Sequence, residues 1–292
     1  MTPIIRLLLF VLLIHSATPC SLVYGSETKN VFKRIISLYP AHTENLVTLG
    51  LTEELIGIAT SDTYPPTVLS KQRFSHRDNA EKFIAAAPDL VLIRPMIEHA
   101  VPHLLKQLAD AGITVVSLQP RSIEEMFAYW LELGRLTGKE RAAKEMIAGF
   151  TLELQELQRA TETISIQNRP RVYFESIHSK MKTFSPTSIA IFVLEQAGGR
   201  NIATDAKARK NTNIAAYGKE RILSHANTID VFLAQRGRMN RIDREGISKE
   251  PGFQAIKAIR DGKIFLVDEQ LVSRPTLRIL EGIKQVGEIL YQ

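Results

Sequence analysis

The 292-residue chain sets 37 Lys and Arg against 31 Asp and Glu, a formal charge of +6, with 45% apolar and 23% charged residues. That balance fits a folded chain of two ordinary domains and excludes a disordered or low-complexity polymer. The basic residues are scattered rather than gathered in an arm, which argues against a nucleic-acid partner, and a lone cysteine, Cys20, excludes a disulfide framework.

The chain opens with the grammar of an export signal. Arg6 supplies the positive start, Leu7 to Ile14 is an uncharged apolar run, and small residues lead to Val23-Tyr24-Gly25. This pattern predicts a signal peptide over residues 1–25, a mature start near Ser26 and a periplasmic location; the run is too short to span a bilayer. Cys20 follows the run where an acylated cysteine would stand, but Ala17-Thr18-Pro19 before it disfavours lipidation. Cleavage at Gly25 leaves no cysteine, and with it no thiolate metal site or cysteine nucleophile.

Short β-rich runs then alternate with helical spacing, the mark of an α/β lobe over residues 33–138. Arg34 to Leu38, Leu55 to Ile58, Leu90 to Ile93 and Thr114 to Leu118 read as buried strands. Ser122-Ile123-Glu124-Glu125 is a capping box, with the Ser oxygen and the Glu carboxylate each satisfying an orphan amide, and Thr137-Gly138 ends that helix. Residues 139–165 form a linking helix. Ala143, Met146, Ile147, Phe150, Leu154, Leu157 and Ile164 recur at helical spacing, and at about 39 Å it is long enough to cross between two lobes as a stiff connector. A second α/β lobe occupies residues 169–290, with strands at Arg171 to Phe174, Ile229 to Ala234 and Ile264 to Val267, and helices near Ser188 to Gln196, Gly252 to Arg260 and Thr276 to Leu290.

Two distant stretches read as one repeated unit. Asn79-Ala80-Glu81-Lys82-Phe83 runs into Asp89 to Arg94, and Lys219-Glu220-Arg221-Ile222-Leu223 runs into Asp230 to Arg236. Each is a short helix opened by a Glu, followed by a strand closing on an Arg. The repeat predicts two similar Rossmann-like lobes, each with a carboxylate on an outer face and a cation at a strand end.

In open α/β sheets ligands bind beyond the carboxyl ends of strands. That rule nominates Tyr39, His42, Tyr64, His76, Arg77 and Arg94 in the first lobe, and His178, Lys180, Lys182, Arg236 and Arg238 in the second. Tyr39, Tyr64, His42, His76 and His178 are also of the types that ligate haem iron or a metal. His99 and His103 lie four apart, but Pro102 marks a helix start that leaves His99 outside, so no metal site is assigned to them. The chain lacks a Gly-x-Ser-x-Gly elbow, a His-Glu-x-x-His helix and a Walker-type loop, which points away from an enzyme.

Arg34-Ile35-Ile36-Ser37-Leu38-Tyr39-Pro40-Ala41-His42-Thr43-Glu44 resembles the opening of the periplasmic binding proteins that deliver iron-siderophores, haem and cobalamin to ABC importers. The resemblance continues through Tyr64-Pro65-Pro66, Ala87-Pro88-Asp89-Leu90-Val91, Pro251-Gly252-Phe253-Gln254-Ala255-Ile256 and Val272-Ser273-Arg274-Pro275. It implies two Rossmann-like lobes joined by one long rigid helix, and a monomeric carrier without a cofactor that hands a metal chelate to a permease. It also implies that Glu81 and Glu220 dock onto that permease, and it adds Arg274 to the ligand set. Both glutamates are equally good helix-start residues in their own right. The many cations after strand ends, with the only Trp on a helix elsewhere, favour an anionic ferric siderophore as ligand; cobalamin or haem is the alternative.

Overall fold

The structure, a computed structural model, describes residues 23–24, 31–208 and 212–292. The apolar run read as an export signal, Cys20 and the expected cleavage site at Gly25 lie outside these residues.

Six strands form the first sheet: β1 (Val23–Tyr24), β2 (Ile35–Ser37), β3 (Leu55–Ala59), β4 (Gln72–Phe74), β5 (Leu90–Ile93) and β6 (Thr114–Ser117). Their order is β1-β6-β5-β2-β3-β4. β2 to β6 are parallel, while β1 pairs antiparallel with β6, Val23 facing Val116. Parallel neighbours need crossover connections, and four helices serve in them: α1 (Pro40–Thr48), α2 (Ala80–Ala86), α3 (Pro95–Ala100) and α4 (Pro102–Asp110). Pro102 opens α4 as the sequence implies, and His99 falls in α3 instead.

α5 (Ile123–Thr137) and α6 (Glu140–Glu162) follow as a tight hairpin. Gly138 turns it at φ +66°, and a Cβ on Gly134 would stand 2.9 Å from that of Ala143, so the helices meet at glycine contact. The expected capping box is half formed. Ser122 Oγ accepts from the Glu125 amide at 3.2 Å, but the Glu125 carboxylate reaches past Ser122 to the Arg121 amide at 2.8 Å and pairs with the Arg121 guanidinium. The linking helix α6 has 23 residues, about 34 Å.

The second sheet contains β7 (Arg171–Ile177), β8 (Lys182–Phe184), β9 (Arg200–Asn201), β10 (Ile214–Ala216), β11 (Val231–Arg236) and β12 (Ile264–Asp268), in the order β10-β8-β7-β11-β12 with β9 beside the start of β7. Its helices are α7 (Ile189–Gln196), α8 (Lys219–Ser224), α9 (Arg244–Ser248), α10 (Lys257–Arg260), α11 (Glu269–Val272) and α12 (Ile279–Leu290). Residues 252–260, expected as one helix, are a 3₁₀ turn followed by α10. Ile256 is extended, and the amides of Lys257 and Ala258 bond to Ala226 and Ile229 carbonyls rather than within a helix.

The repeated unit has a structural counterpart in both lobes. Asp89, just before β5, accepts from the Lys33 and Arg34 amides at 2.7 and 2.9 Å, and Asp230, just before β11, accepts from the Arg171 amide at 3.0 Å. Each aspartate thus fixes the start of the strand beside its own. One core cluster lines the shared side of both sheets, joining Ile35, Leu92, Trp130 and Phe150 to Phe174, Leu194 and Leu280. Phe74, Phe83 and Val91 fill the outer face of the first sheet, and Tyr173, Phe232 and Phe253 that of the second.

Candidate ligand-binding cleft

In the first sheet the chain runs from β2 toward β4 on one side and from β5 toward β6 on the other, so the loops after β2 and β5 part company. This is the switch point at which open α/β sheets hold ligands. Tyr39 and Arg94 occupy it, the guanidinium 4.9 Å from the ring centre, a cation–π distance. Burial pushes the Tyr39 phenol above its usual range, so it stays neutral. His76 and Arg77 follow β4, and exposed Tyr64 lies in the loop after β3.

His76 reports on its surroundings. Burial lowers its basicity first, and the charges of Arg77, Arg94 and Arg238 lower it further. Arg77 and Arg94 belong to the first lobe and Arg238 to the second, so cations from both sides act on one imidazole. None of the ion pairs among the described residues uses Arg77, Arg94, Lys182, Arg236 or Arg238. These charges are left for solvent or a ligand.

Three expected ligand contacts are committed inside the protein instead. His42 is fully buried: its Nε2–H donates to the Ile93 carbonyl at 2.9 Å and its Nδ1 accepts from the Tyr129 hydroxyl at 2.6 Å. Desolvation drives its pKa down to about 4, so it is a neutral core imidazole with both nitrogens used. His178 is buried between Glu175, at 3.0 Å from Nδ1, and Glu250, at 3.5 Å from Nε2. Arg274 gives one nitrogen to Glu44 at 2.8 Å and to Gln270 at 3.1 Å.

Arg274 belongs to a floor that the sequence did not announce. Residues 270–278 of the second lobe lie against the first. Asn45 Nδ2 and Trp130 Nε1 both donate to the Pro275 carbonyl, at 2.9 and 3.2 Å, and the Thr63 hydroxyl meets Gln270 at 3.3 Å. Arg278, absent from the expected set, stands 4.4 Å over the Tyr64 ring and 3.9 Å from Glu44. Glu44 itself is 4% exposed, a buried acid held by two cations of the opposite lobe. Two methionines, Met96 and Met239, stand about half exposed beside the Arg94 and Arg238 loops, and nothing in the strand-end rule had singled them out.

Glu81 and Glu220 are exposed in the first turns of α2 and α8. Asn79 caps α2 through the Lys82 amide at 3.2 Å, and Gly218 enters α8 at φ +90°. The cations beside both acids are drawn into other pairs: Lys82 with Asp78 at 2.6 Å, Lys219 with Glu250, and Arg221 with Asp205. Neither glutamate appears in an ion pair among the described residues.

A cavity of about 670 Å³ lies elsewhere, where the end of α6 meets α7 and β9, lined by Gln158, Arg169, Glu195 and Asn201. It adjoins the starting end of β7, opposite the strand ends that form the cleft. Among the described residues no cluster of three or more His, Cys, Asp or Glu is arranged to hold a metal ion, and no helix is long and apolar enough to cross a membrane.

Comparison with known proteins gives this geometry a family. The family profile described as periplasmic binding protein matches residues 35–271. An uncharacterized ABC transporter substrate-binding lipoprotein of Bacillus subtilis is 28% identical over 262 residues, 89% of this chain and 80% of its own length. The vitamin B12-binding protein of Vibrio cholerae is 24% identical over 87% of each chain. Among solved structures, a possible iron-binding (periplasmic solute-binding) protein from Staphylococcus epidermidis superposes with a TM-score of 0.78 at 30% identity, covering 90% of this chain and all of that one. A periplasmic haem-binding protein from Roseiflexus shares the fold, with a TM-score of 0.73 at 22% identity over 89% of this chain and 98% of that one. With two sheets flanked by helices and a profile match across most of its length, the chain belongs to the periplasmic binding protein family.

Proposed function

We propose that this protein is the substrate-binding component of an ABC importer and that its ligand is an anionic metal chelate, a ferric siderophore of the catecholate or carboxylate kind. The relatives are substrate-binding transport proteins, and the role is capture and hand-over without turnover. The observation that carries the ligand class is the set of unpaired guanidiniums, Arg77, Arg94 and Arg238, acting from both lobes on His76. Guanidiniums free of internal ion pairs offer charge-assisted, forked hydrogen bonds to carboxylate or catecholate oxygens. Tyr39, Tyr64, Arg236 and Lys182 complete the set we assign to the ligand, and Glu81 with Glu220 the surface we assign to the permease.

A second reading has its own support, since several relatives are vitamin B12-binding proteins. A corrinoid would rest on Tyr39, Tyr64 and the exposed methionines, with Trp130 too deeply buried to take part. Native mass spectrometry of residues 26–292 against ferric catecholate, carboxylate and hydroxamate complexes, haem and cobalamin separates the two. A one-to-one complex with an anionic ferric chelate supports the first reading; a complex with cobalamin alone replaces it with the second.

We also assign the mature protein to the periplasm, cut at Gly25. A lipid anchor on Cys20 would instead keep β1 in the mature chain, and the intact mass of the exported protein tells these apart.

A further inference from the structure

Four elements of the second lobe meet at one buried imidazole. Glu175, near the end of β7, is fully buried and faces His178 Nδ1 at 3.0 Å; His178 Nε2 faces Glu250 at 3.5 Å; Glu250 pairs with Lys219, the first residue of α8. The Phe253 ring meets the imidazole edge-on at 6.0 Å. Signs alternate along the chain from acid to base to acid to base. Burial works against a charged His178, but the hydrogen bond and charge of Glu175, with Glu250 behind them, outweigh it and raise its basicity.

The backbone of the same residue is tied to the cleft. The His178 amide donates to Asn240 Oδ1 at 3.0 Å, Asn240 Nδ2 donates to the Gln235 carbonyl at 2.8 Å, and the Gly237 amide donates to the Asn240 carbonyl at 3.0 Å. Asn240 therefore shapes the turn over residues 236–240, which carries Arg236, Arg238 and Met239. A second strut runs in parallel: Met181, at φ +44°, accepts from the Gly218 amide at 3.0 Å, immediately before α8. One side of this assembly ends in cleft cations and the other in the helix turn that presents Glu220.

We infer that His178 is a positioning residue, and that the chain Glu175, His178, Glu250 and Lys219 couples the start of α8 to the cleft turn 236–240, so that a pull on Glu220 loosens the hold of Arg238 on a ligand. The coupling runs through packed, ion-paired and hydrogen-bonded groups, because removing Lys219 from its part-buried pair leaves the Glu250 charge to act on His178 and buried Glu175 uncompensated. Its use in ligand release rests on the importer reading above, while the coupling itself needs neither ligand nor permease to be measured.

Amide hydrogen exchange on the full mature chain is the test, in Lys219→Met, Lys219→Arg, Glu250→Gln and Glu220→Lys variants. Removing the Lys219 charge should speed exchange at residues 237–240 by about tenfold, the scale of one lost charged hydrogen bond, and leave residues 75–78 of the first lobe unchanged. Lys219→Arg should restore protection, and Glu220→Lys, which lies outside the network, should leave it intact. Equal exchange at 237–240 in wild type, Lys219→Met and Glu250→Gln would overturn the inference, as would uniform acceleration over both lobes, the sign of simple destabilisation. If the exchange result stands, binding of a ferric tris-catecholate probe should weaken in Lys219→Met and not in Glu220→Lys. Weakening in neither would detach the network from ligand release, and no binding of the probe to wild type would count against the ligand class alone.

Discussion

Asp62 opens the loop that carries Tyr64, and replacing it with Asn should change how stability depends on pH. Its carboxyl is 2% exposed. Oδ2 accepts from the Thr43 hydroxyl at 2.7 Å and the Ala59 amide at 3.1 Å, while Oδ1 has no partner. Burial dominates these donors and the fields of Arg274 and Arg73, and raises the pKa from 3.8 to about 6. Between those two values the folded state holds a proton that the unfolded state has lost, so this group costs about 1.4 kcal/mol of stability per pH unit as pH rises through the window. The cost is absent below the unfolded pKa and complete above the folded one. Asn keeps both accepted bonds but puts an unpaired N–H where Oδ1 stood, a penalty of about 1–3 kcal/mol that is the same at every pH. The variant should therefore be the weaker protein at pH 4 and gain about 2–3 kcal/mol on wild type by pH 7. Urea unfolding of both proteins at four pH values reads this directly. A stability difference constant to about 0.5 kcal/mol from pH 4 to 7 would mean an ordinary ionised aspartate and refute the reasoning.

Three further outcomes are expected. Charge reversal at both acids we assign to the permease surface, Glu81→Lys with Glu220→Lys, should leave ligand affinity at the wild-type level and abolish uptake in a complementation assay; loss of binding would overturn that assignment. Arg94→Ala should weaken an anionic chelate by roughly 10- to 100-fold, as expected for a charge-assisted hydrogen bond of about 1.5–3 kcal/mol, and flatten the salt dependence seen by calorimetry. Phe150 is 1% exposed and meets Trp130 and Phe127 edge-on at 5.5 and 5.6 Å, so Phe150→Ala should cost about 3–5 kcal/mol in urea unfolding. A loss below about 1 kcal/mol would show that the aromatic cluster can close over the gap.

What the sequence discloses follows from range. β5 is an unbroken apolar run, β7 and β11 are each built on one, Val172 to Phe174 and Val231 to Ala234, and α5 and α6 carry helical spacing, so each is legible from a dozen neighbouring residues. β4, β8 and β10 are three-residue strands, Gln72–Phe74, Lys182–Phe184 and Ile214–Ala216, too short to show a period. The strand-end rule could nominate Arg94 because it needs only the position of β5, and it reached His76 only as part of the loop before the Glu81 helix, since β4 is invisible to it. It failed at His42 and His178 because their fate depends on partners elsewhere in the chain, Tyr129 and Ile93 for one and Glu250 for the other. Glu44 and Arg274 are 230 positions apart, and no local pattern relates them. The late start of α12 has the same origin, since Arg274 and Pro275 are held by the opposite lobe before the helix begins.

The Pro275 carbonyl, held at once by Asn45 and Trp130 of the other lobe, bears on the kinetics of a carrier. With the cleft floor pinned there and again by Glu44 and Arg274, the lobes have little freedom to shut over a bound molecule. Residence time is then set by contacts at the mouth, and association by the field of the free guanidiniums, which speeds encounter with anions and fades as salt screens it. With the anionic ligand proposed above, such a protein should take up cargo quickly at low ionic strength and hold it through an open door, so that the arrival of a partner rather than a hinge of its own is what we expect to end the visit.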